Sequence, residues 1–238
     1  MKHSFQSVLQ AGLAAMGLPA DEQTVRQMET YAAFLLERNQ VMNLTAITEP
    51  TAVAQLHFLD SAALLNAWPL AGARIVDVGT GAGFPGVPLK LLEPSIGLTL
   101  LDSQRKRVDF LQEGMALLGL ADVRCVQARA EEQSRLADWR ESFDCAVSRA
   151  VADLRVLAEL CLPFVRVGGV CLAMKSVHCE EEVESARQAV IRLGGAMKDP
   201  YRYTLPDGTP RQILVIQKVE ETPSKYPRRF AKIQKEPL

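Results

Sequence analysis

None of the five cysteines, Cys125, Cys145, Cys161, Cys171 and Cys179, stands in a C-x-x-C pair, and their number is odd. They lie in apolar runs and are expected as reduced packing residues of a cytoplasmic protein, which excludes a disulfide scaffold. The three histidines, His3, His57 and His178, are too far apart for metal-ligand spacing, so no metal is expected. No apolar run approaches the length of a bilayer span, so no membrane partner is expected. The net charge is only -1, so any binding of nucleic acid has to come from a local basic patch. The stretch after Lys2 is no signal peptide either. Gln6 and Gln10 interrupt it, and Phe5, Val8, Leu9, Gly12, Leu13 and Met16 recur at helical spacing. What the chain does have is apolar material. At 48% hydrophobic over 238 residues it can bury a sizeable core.

The most informative stretch runs from Ile75 to Gly86: Ile75-Val76-Asp77-Val78-Gly79-Thr80-Gly81-Ala82-Gly83-Phe84-Pro85-Gly86. A β-branched apolar run reads as a buried strand. Glycine at every second position allows positive φ and lets a ligand approach the backbone. Pro85 suits the first turn of a helix. Strand, tight turn and helix together predict a small-molecule site above the strand's carboxyl end. Two ligands compete for it. Gly81-x-Gly83-x-x-Gly86, with Asp102 beyond, matches the dinucleotide fingerprint. Asp77 before the first glycine is foreign to that fingerprint. A bare carboxylate there suits a cationic ligand end, and Asp-x-Gly-x-Gly-x-Gly resembles the first motif of Rossmann-like methyltransferases, whose donor is S-adenosyl-L-methionine.

Along the chain, residues 1–66 read as a helical extension. Asp21 caps a second helix with Val25, Met28, Ala32 and Leu35 on one face, and Asn39 and Asn43 break it. Thr48 with Pro50 opens a third, carrying Val53, Leu56, Leu64 and Leu65. Its His57-Phe58-Leu59-Asp60-Ser61 segment reads, by itself, as an exposed polar face. Residues 67–221 alternate strand and helix. Strands are expected at 74–78, 98–102, 123–127, 143–148 and 169–174, with helices at 87–92, up to 118, from 153, and at about 179–193. Two closing strands, near 197–204 and 212–219, are joined by Pro206-Asp207-Gly208. The fold class is therefore α/β, a Rossmann-like class I methyltransferase sheet with a C-terminal antiparallel hairpin and an N-terminal helical extension. Residues 222–238 form a basic tail whose prolines deny it regular structure. There Lys225, Tyr226, Arg228, Arg229 and Lys232 are candidate contacts to RNA phosphates and bases.

The loops after the first four strands should line one pocket. Asp102 suits ribose hydroxyls, Glu131 and the backbone near Ala130 suit an adenine edge, and Phe84 suits the nucleoside or the methionine slot. Asp77, Gly79, Gly81 and Gly83 complete the donor set. Arg149 and Lys175 sit where an acceptor enters. Exocyclic amine methylation typically uses an Asn/Asp-Pro-Pro-aromatic segment after strand four, but Ser148-Arg149-Ala150 stands there. Methylating a pyrimidine carbon needs a thiolate at the pocket, and Cys145 lies inside the strand. A ring nitrogen with a free lone pair, such as guanine N7, needs neither device. A nicotinamide oxidoreductase and a non-catalytic RNA-binding module remain as alternatives at this point.

Several further motifs accompany the glycine turn. They are Arg38-Asn39 with Asn43-Leu44-Thr45, His57-Phe58-x-Asp60-Ser61, Asp102-Ser103 with Lys106-Arg107, Arg129-Ala130-Glu131, Ser148-Arg149-Ala150 and Lys225-Tyr226-Pro227-Arg228-Arg229. Together the chain from about Tyr31 onward resembles the bacterial small-subunit rRNA guanine-N7 methyltransferases, also called the glucose-inhibited division protein B family. The resemblance implies methylation of one guanine, 527 in the usual rRNA numbering, in the decoding-region loop of 16S rRNA. It implies 16S rRNA or the small ribosomal subunit as partner, with the protein expected as a monomer. Gly79, Phe84, Ala130, Glu131 and Arg149 would then contact the donor. His57 and Asp60 move toward a role near the pocket, and Arg149, Lys175 and His57 become the candidate catalytic residues. Ala231 and Ile233 depart from the family's usual tail, and Ser176 follows Lys175 where the family has glycine.

Overall fold

The computed structural model describes residues 4–149 and 152–238; His3 and Ala150 lie outside them. Helices α1 (Phe5–Ala15), α2 (Glu22–Met42) and α3 (Pro50–Val53) open the chain, and α3 continues into a π-helical segment (Ala54–Leu59). After it come α4 (Asp60–Ala62) and α5 (Leu64–Ala67). The alternating part runs β1 (Arg74–Val78), α6 (Gly86–Leu92), β2 (Gly97–Asp102), α7 (Arg105–Leu118), β3 (Arg124–Gln127), α8 (Ala130–Gln133), β4 (Phe143–Arg149), α9 (Leu154–Cys161) and β5 (Val165–Ser176). Then follow α10 (Glu180–Arg192), β6 (Gly195–Met197), β7 (Tyr201–Thr204), β8 (Pro210–Lys218) and α11 (Phe230–Lys235).

One sheet takes the order β3-β2-β1-β4-β5-β8-β6, with β7 paired to β8. Strands β1 to β5 are parallel, and β8 runs antiparallel between β5 and the pair β6 and β7. The chain moves outward from β1 in one direction and then, from β4, in the other. That reversal between β1 and β4 leaves a crevice at the strands' carboxyl ends.

Strand side chains alternate between two cores. Ile75, Cys145 and Leu172 face a core shared with α1, α2, α6 and α7, while Val76, Ala146 and Cys171 face a core closed by α9 and α10. The N-terminal helices thus cover one face of the sheet. Tyr31 of α2, fully buried, donates to the Ala82 carbonyl at 3.0 Å and fixes the glycine turn from behind. Gly83 has φ +85, and a Cβ there would stand 2.5 Å from the Tyr31 hydroxyl.

Several expectations are corrected. Asn39 does not end the second helix. It lies inside α2, and its side chain both donates to and accepts from the Thr45 backbone, at 2.9 and 2.8 Å. Glu49, not Thr48, caps α3, because its carboxylate reaches the Ala52 amide at 2.7 Å. Pro85 stands one residue before α6 rather than inside its first turn. The two closing strands are three, since β6 and β7 pair with successive stretches of one edge of β8. The His57–Ser61 segment is not an exposed face; all five residues are buried.

The tail departs most from expectation. It contains α11, and Thr222, Tyr226 and Ile233 are buried. Arg140 donates to the carbonyls of Thr222 and Tyr226, and Arg135 to that of Pro227. Buried Lys218 ties Thr222, Glu141 and the Leu162 carbonyl together, each within 2.8 Å. Arg228 forms a two-pronged pair with fully buried Glu159, at 2.9 and 2.7 Å. Arg228 and Tyr226 are therefore structural rather than free for RNA, whereas Lys225, Arg229 and Lys232 remain exposed. Arg228→Ala leaves a buried carboxylate unpaired and should cost about 3 kcal/mol. Arg229→Ala should leave stability unchanged. Urea midpoints of the two variants check this, and equal midpoints would show that the tail is not held by this pair.

Candidate active site

Asp77, next to last in β1, pins the glycine turn. Its Oδ2 accepts from the Thr80 hydroxyl at 2.7 Å and from the Gly86 amide at 2.8 Å. One oxygen thereby joins strand end to helix start. Its Oδ1 is buried and has no partner among the described residues. Burial is the main cause that raises the Asp77 pKa to about 7, against the pull of Thr80, Gly86 and Arg149. Asp102 closes β2 and accepts from the Gly81 amide at 3.0 Å and the Gln104 amide at 2.9 Å, which holds the turn on its other side.

A cavity of about 160 Å³ opens over the ends of β1, β2 and β3. Gly79, Asp102, Ala130 and Glu131 line it, as do Leu160 of α9 and Phe230 of the tail. Burial raises the Glu131 pKa, and Arg129 stands 3.9 Å from its carboxylate. Asp77, Gly81, Gly83 and Phe84 do not line this cavity; they build the turn that forms its wall. Phe230, expected from the sequence as a tail aromatic for base stacking, lines the donor-side cavity instead. Its approach to the cavity depends on how the tail folds back, and no local pattern signals that.

A second cavity, about 370 Å³, lies over β4, β5 and β8. Its wall on the β1 side is built around Arg149. NH1 donates to the Leu56 carbonyl at 2.9 Å and to Asp60 Oδ2 at 3.3 Å, and NH2 lies 3.0 Å from His57 Nδ1. The Arg149 guanidinium stands 5.2 Å over the Phe84 ring, and His57 stacks on Phe84 at 4.7 Å. A guanidinium only donates, so His57 Nδ1 accepts. The ring proton is then on Nε2, which donates to Thr45 Oγ1 at 2.8 Å. Burial, reinforced by Arg149, lowers the His57 pKa to about 3. His57 is therefore neutral and fully engaged. Its two ring nitrogens are taken up by Arg149 and Thr45. Lys175 also faces this cavity, but its ammonium is held by the Ala152 carbonyl at 2.7 Å and Glu182 at 2.6 Å.

The sequence profile described as rRNA small subunit methyltransferase G matches residues 24–200. A protein of Pelotomaculum thermopropionicum named Ribosomal RNA small subunit methyltransferase G is 47% identical over 232 residues, covering 97% of each chain. One of the same name from Alkaliphilus metalliredigens is 46% identical, covering 97% of this chain and 98% of its own. The chain belongs to the rRNA small subunit methyltransferase G family.

Membership makes the protein a methyltransferase, with S-adenosylmethionine as its methyl donor. The fold agrees. A methyltransferase of Pyrococcus furiosus superimposes with TM-score 0.57 at 14% identity, covering 81% of this chain and 98% of its own. An O-methyltransferase from Bacillus cereus, solved with S-adenosylhomocysteine, gives 0.54 at 18% identity, over 88% and 97%. The architecture is the Rossmann-like class I methyltransferase fold. The residues present fit such a donor: Gly79 lines the cavity, a Cβ at Gly81 would meet nothing within 4 Å, and Asp77 Oδ1 behind the turn is an orphaned acceptor.

Leu56, Tyr203 and Arg211 line the second cavity and Thr45 supports it through His57, although none of the four was named as a site residue from the sequence. Tyr203 donates to Asp60 Oδ1 at 2.7 Å. The Asn43-Leu44-Thr45 motif was the available signal for Thr45; only the fold brings it to His57. The raised Asp77 pKa has a consequence for stability. The free carboxyl titrates near 3.8 and the folded one near 7, so the folded state binds the proton more tightly. That contribution is complete below the free value and is lost as pH rises through about 7. In ligand-free protein, Asp77→Asn should remove this decline, so the variant gains on the parent between about pH 4 and pH 7. Chemical denaturation across that range checks it; a parallel profile for the two proteins contradicts it.

Proposed function

We propose that this protein transfers a methyl group from S-adenosylmethionine to N7 of guanine 527 in the decoding-region loop of 16S rRNA, in the cytoplasm. The observation that carries the reading is the Arg149 wall. It sets a donor cavity over β1–β3 beside an acceptor cavity over β4, β5 and β8.

In this reading, Gly79, Ala130, Glu131 and Asp102 hold the nucleoside. Asp77 stands behind the turn and biases it toward the donor's cationic end, and Gly81 and Gly83 shape the turn. Phe84 and Arg149 separate the reacting groups from the core. The bound donor supplies an electrophilic methyl group. The protein supplies alignment and exclusion of water. Guanine N7 carries a lone pair at neutral pH, so no base has to remove a proton before transfer. The local chemistry accords with that. Burial raises the thiol of Cys145, above all other causes, well beyond its ordinary value, and the Ser148 hydroxyl is spent on the Val78 carbonyl at 2.9 Å. Neutral His57 offers neither ring nitrogen. Exposed Lys225, Arg229 and Lys232 supply cations for RNA phosphates, and each such contact lowers affinity as salt rises.

The decisive experiment incubates the protein with labelled S-adenosylmethionine and unmethylated small ribosomal subunits, then maps the product. Label at N7 of that guanine is expected. Label on an exocyclic amine or on a pyrimidine carbon would refute the assignment.

A further inference from the structure

The acceptor cavity is walled by three cations, and two are already engaged. Arg149 donates to Leu56, Asp60 and His57, and Lys175 to Ala152 and Glu182. The third, Arg211 on β8, makes no side-chain hydrogen bond among the described residues. Its Nε is buried without a partner, 3.8 Å from Asp60 Oδ1. The sheet register pairs Arg211 with Tyr203 on one side and Ser176 on the other. Cross-strand partners share a face of the sheet, so Arg211 stands with Tyr203. Tyr203 in turn holds Asp60. A donor-only group and an acceptor-only group thus stand side by side in a cavity of ligand size. Keeping a partly buried guanidinium short of hydrogen-bond acceptors, with only the long ion pair to Asp60, is unfavourable unless something else takes its protons.

We propose that Arg211 and Asp60 read the Watson–Crick edge of the target guanine. The inference rests on the guanine-N7 reading above and deepens it. Along that edge guanine presents the O6 acceptor, then the N1–H and N2–H donors. Arg211 matches the first and the Asp60 carboxylate the other two. Each Asp60 oxygen has a second lone pair beyond those used by Tyr203 and Arg149. Adenine reverses the array. Its exocyclic amine would face Arg211 and its bare N1 would face Asp60, leaving both charges unmatched. A site built to hydrogen-bond one partner rejects an analogue that leaves its buried groups unpaired. Bases displaced from a helix are commonly read on this edge. Gripped there, guanine keeps its N7 lone pair uncovered. Arg211 and Asp60 are thus specificity residues that orient the base.

The test uses reconstituted small subunits carrying guanine or inosine at the target position; inosine lacks only the exocyclic amine. Methylation at limiting subunit concentration is measured for the parent protein, Arg211→Gln and Asp60→Asn, together with the affinity of each for S-adenosylhomocysteine. The parent should lose about tenfold on inosine, and Asp60→Asn should no longer distinguish the two bases. Arg211→Gln should lose about 10- to 100-fold on guanine while holding S-adenosylhomocysteine as the parent does. That retained affinity shows the variant is folded, and the guanine-to-inosine ratio is internal to each variant. Undiminished methylation by Arg211→Gln, or the parent's ratio preserved in Asp60→Asn, overturns the inference while the N7 reading stands. Parent protein that labels another atom overturns both.

Discussion

A guanidinium taken out of water needs acceptors, and the arrangement of this site follows from how Arg149 finds them. Burial lowers its pKa, and Asp60 is the leading influence in the other direction. Its hydrogen bonds go to a carbonyl in a π-helical turn, to Asp60 and to a neutral imidazole. The imidazole is usable only as the Nε2–H tautomer, which Thr45 secures. Asn39 then locks the Thr45 backbone from inside α2. The support of one strand-end arginine thus runs through His57 and Thr45 to Asn39 in the N-terminal helices. π-Helical turns recur at functional sites, and here the turn carries two of the contributors, Leu56 and His57.

The sheet turns that support into two workplaces. Because the strand order reverses between β1 and β4, the donor's glycine turn and the Arg149 wall stand next to each other. Asp77 and Asp102 brace the turn from both sides, and Tyr31 braces it from behind. The antiparallel β8 brings Arg211 to the far side of the second cavity, which a parallel strand entering from the opposite end would not do. The tail contributes by packing rather than by charge alone. Its Arg228 and the cations Arg135, Arg140 and Lys218 fold it onto α9, and Phe230 thereby reaches the cavity over β1, β2 and β3.

The alternating strands and helices were readable from the sequence because period-2 apolar runs and capping residues are local signals. β1 matches its expected range, and Asp21 caps α2 by accepting from the Thr24 amide. The glycine turn was readable for the same reason. What escaped was everything decided by long-range partners. Asn39 looked like a helix breaker because its partner, the Thr45 backbone, lies beyond the helix end. His57–Ser61 looked polar and exposed because Arg149 and Tyr203, far along the chain, are what satisfy it. Arg228 looked like a phosphate contact because nothing near it in sequence announces Glu159. Arg211 sits in an unremarkable strand and acquires meaning only across the sheet.

His57 stays neutral, as the Nε2–H tautomer, and so holds Arg149. Nitrogen-15 NMR of histidine-labelled protein, with the His57 signals assigned by His57→Gln, measures it directly. The expected spectrum shows an unprotonated Nδ1 and a protonated Nε2, with no titration until the pH nears about 3. An imidazole that titrates near the ordinary 6.5, or that carries its neutral proton on Nδ1, would contradict the account.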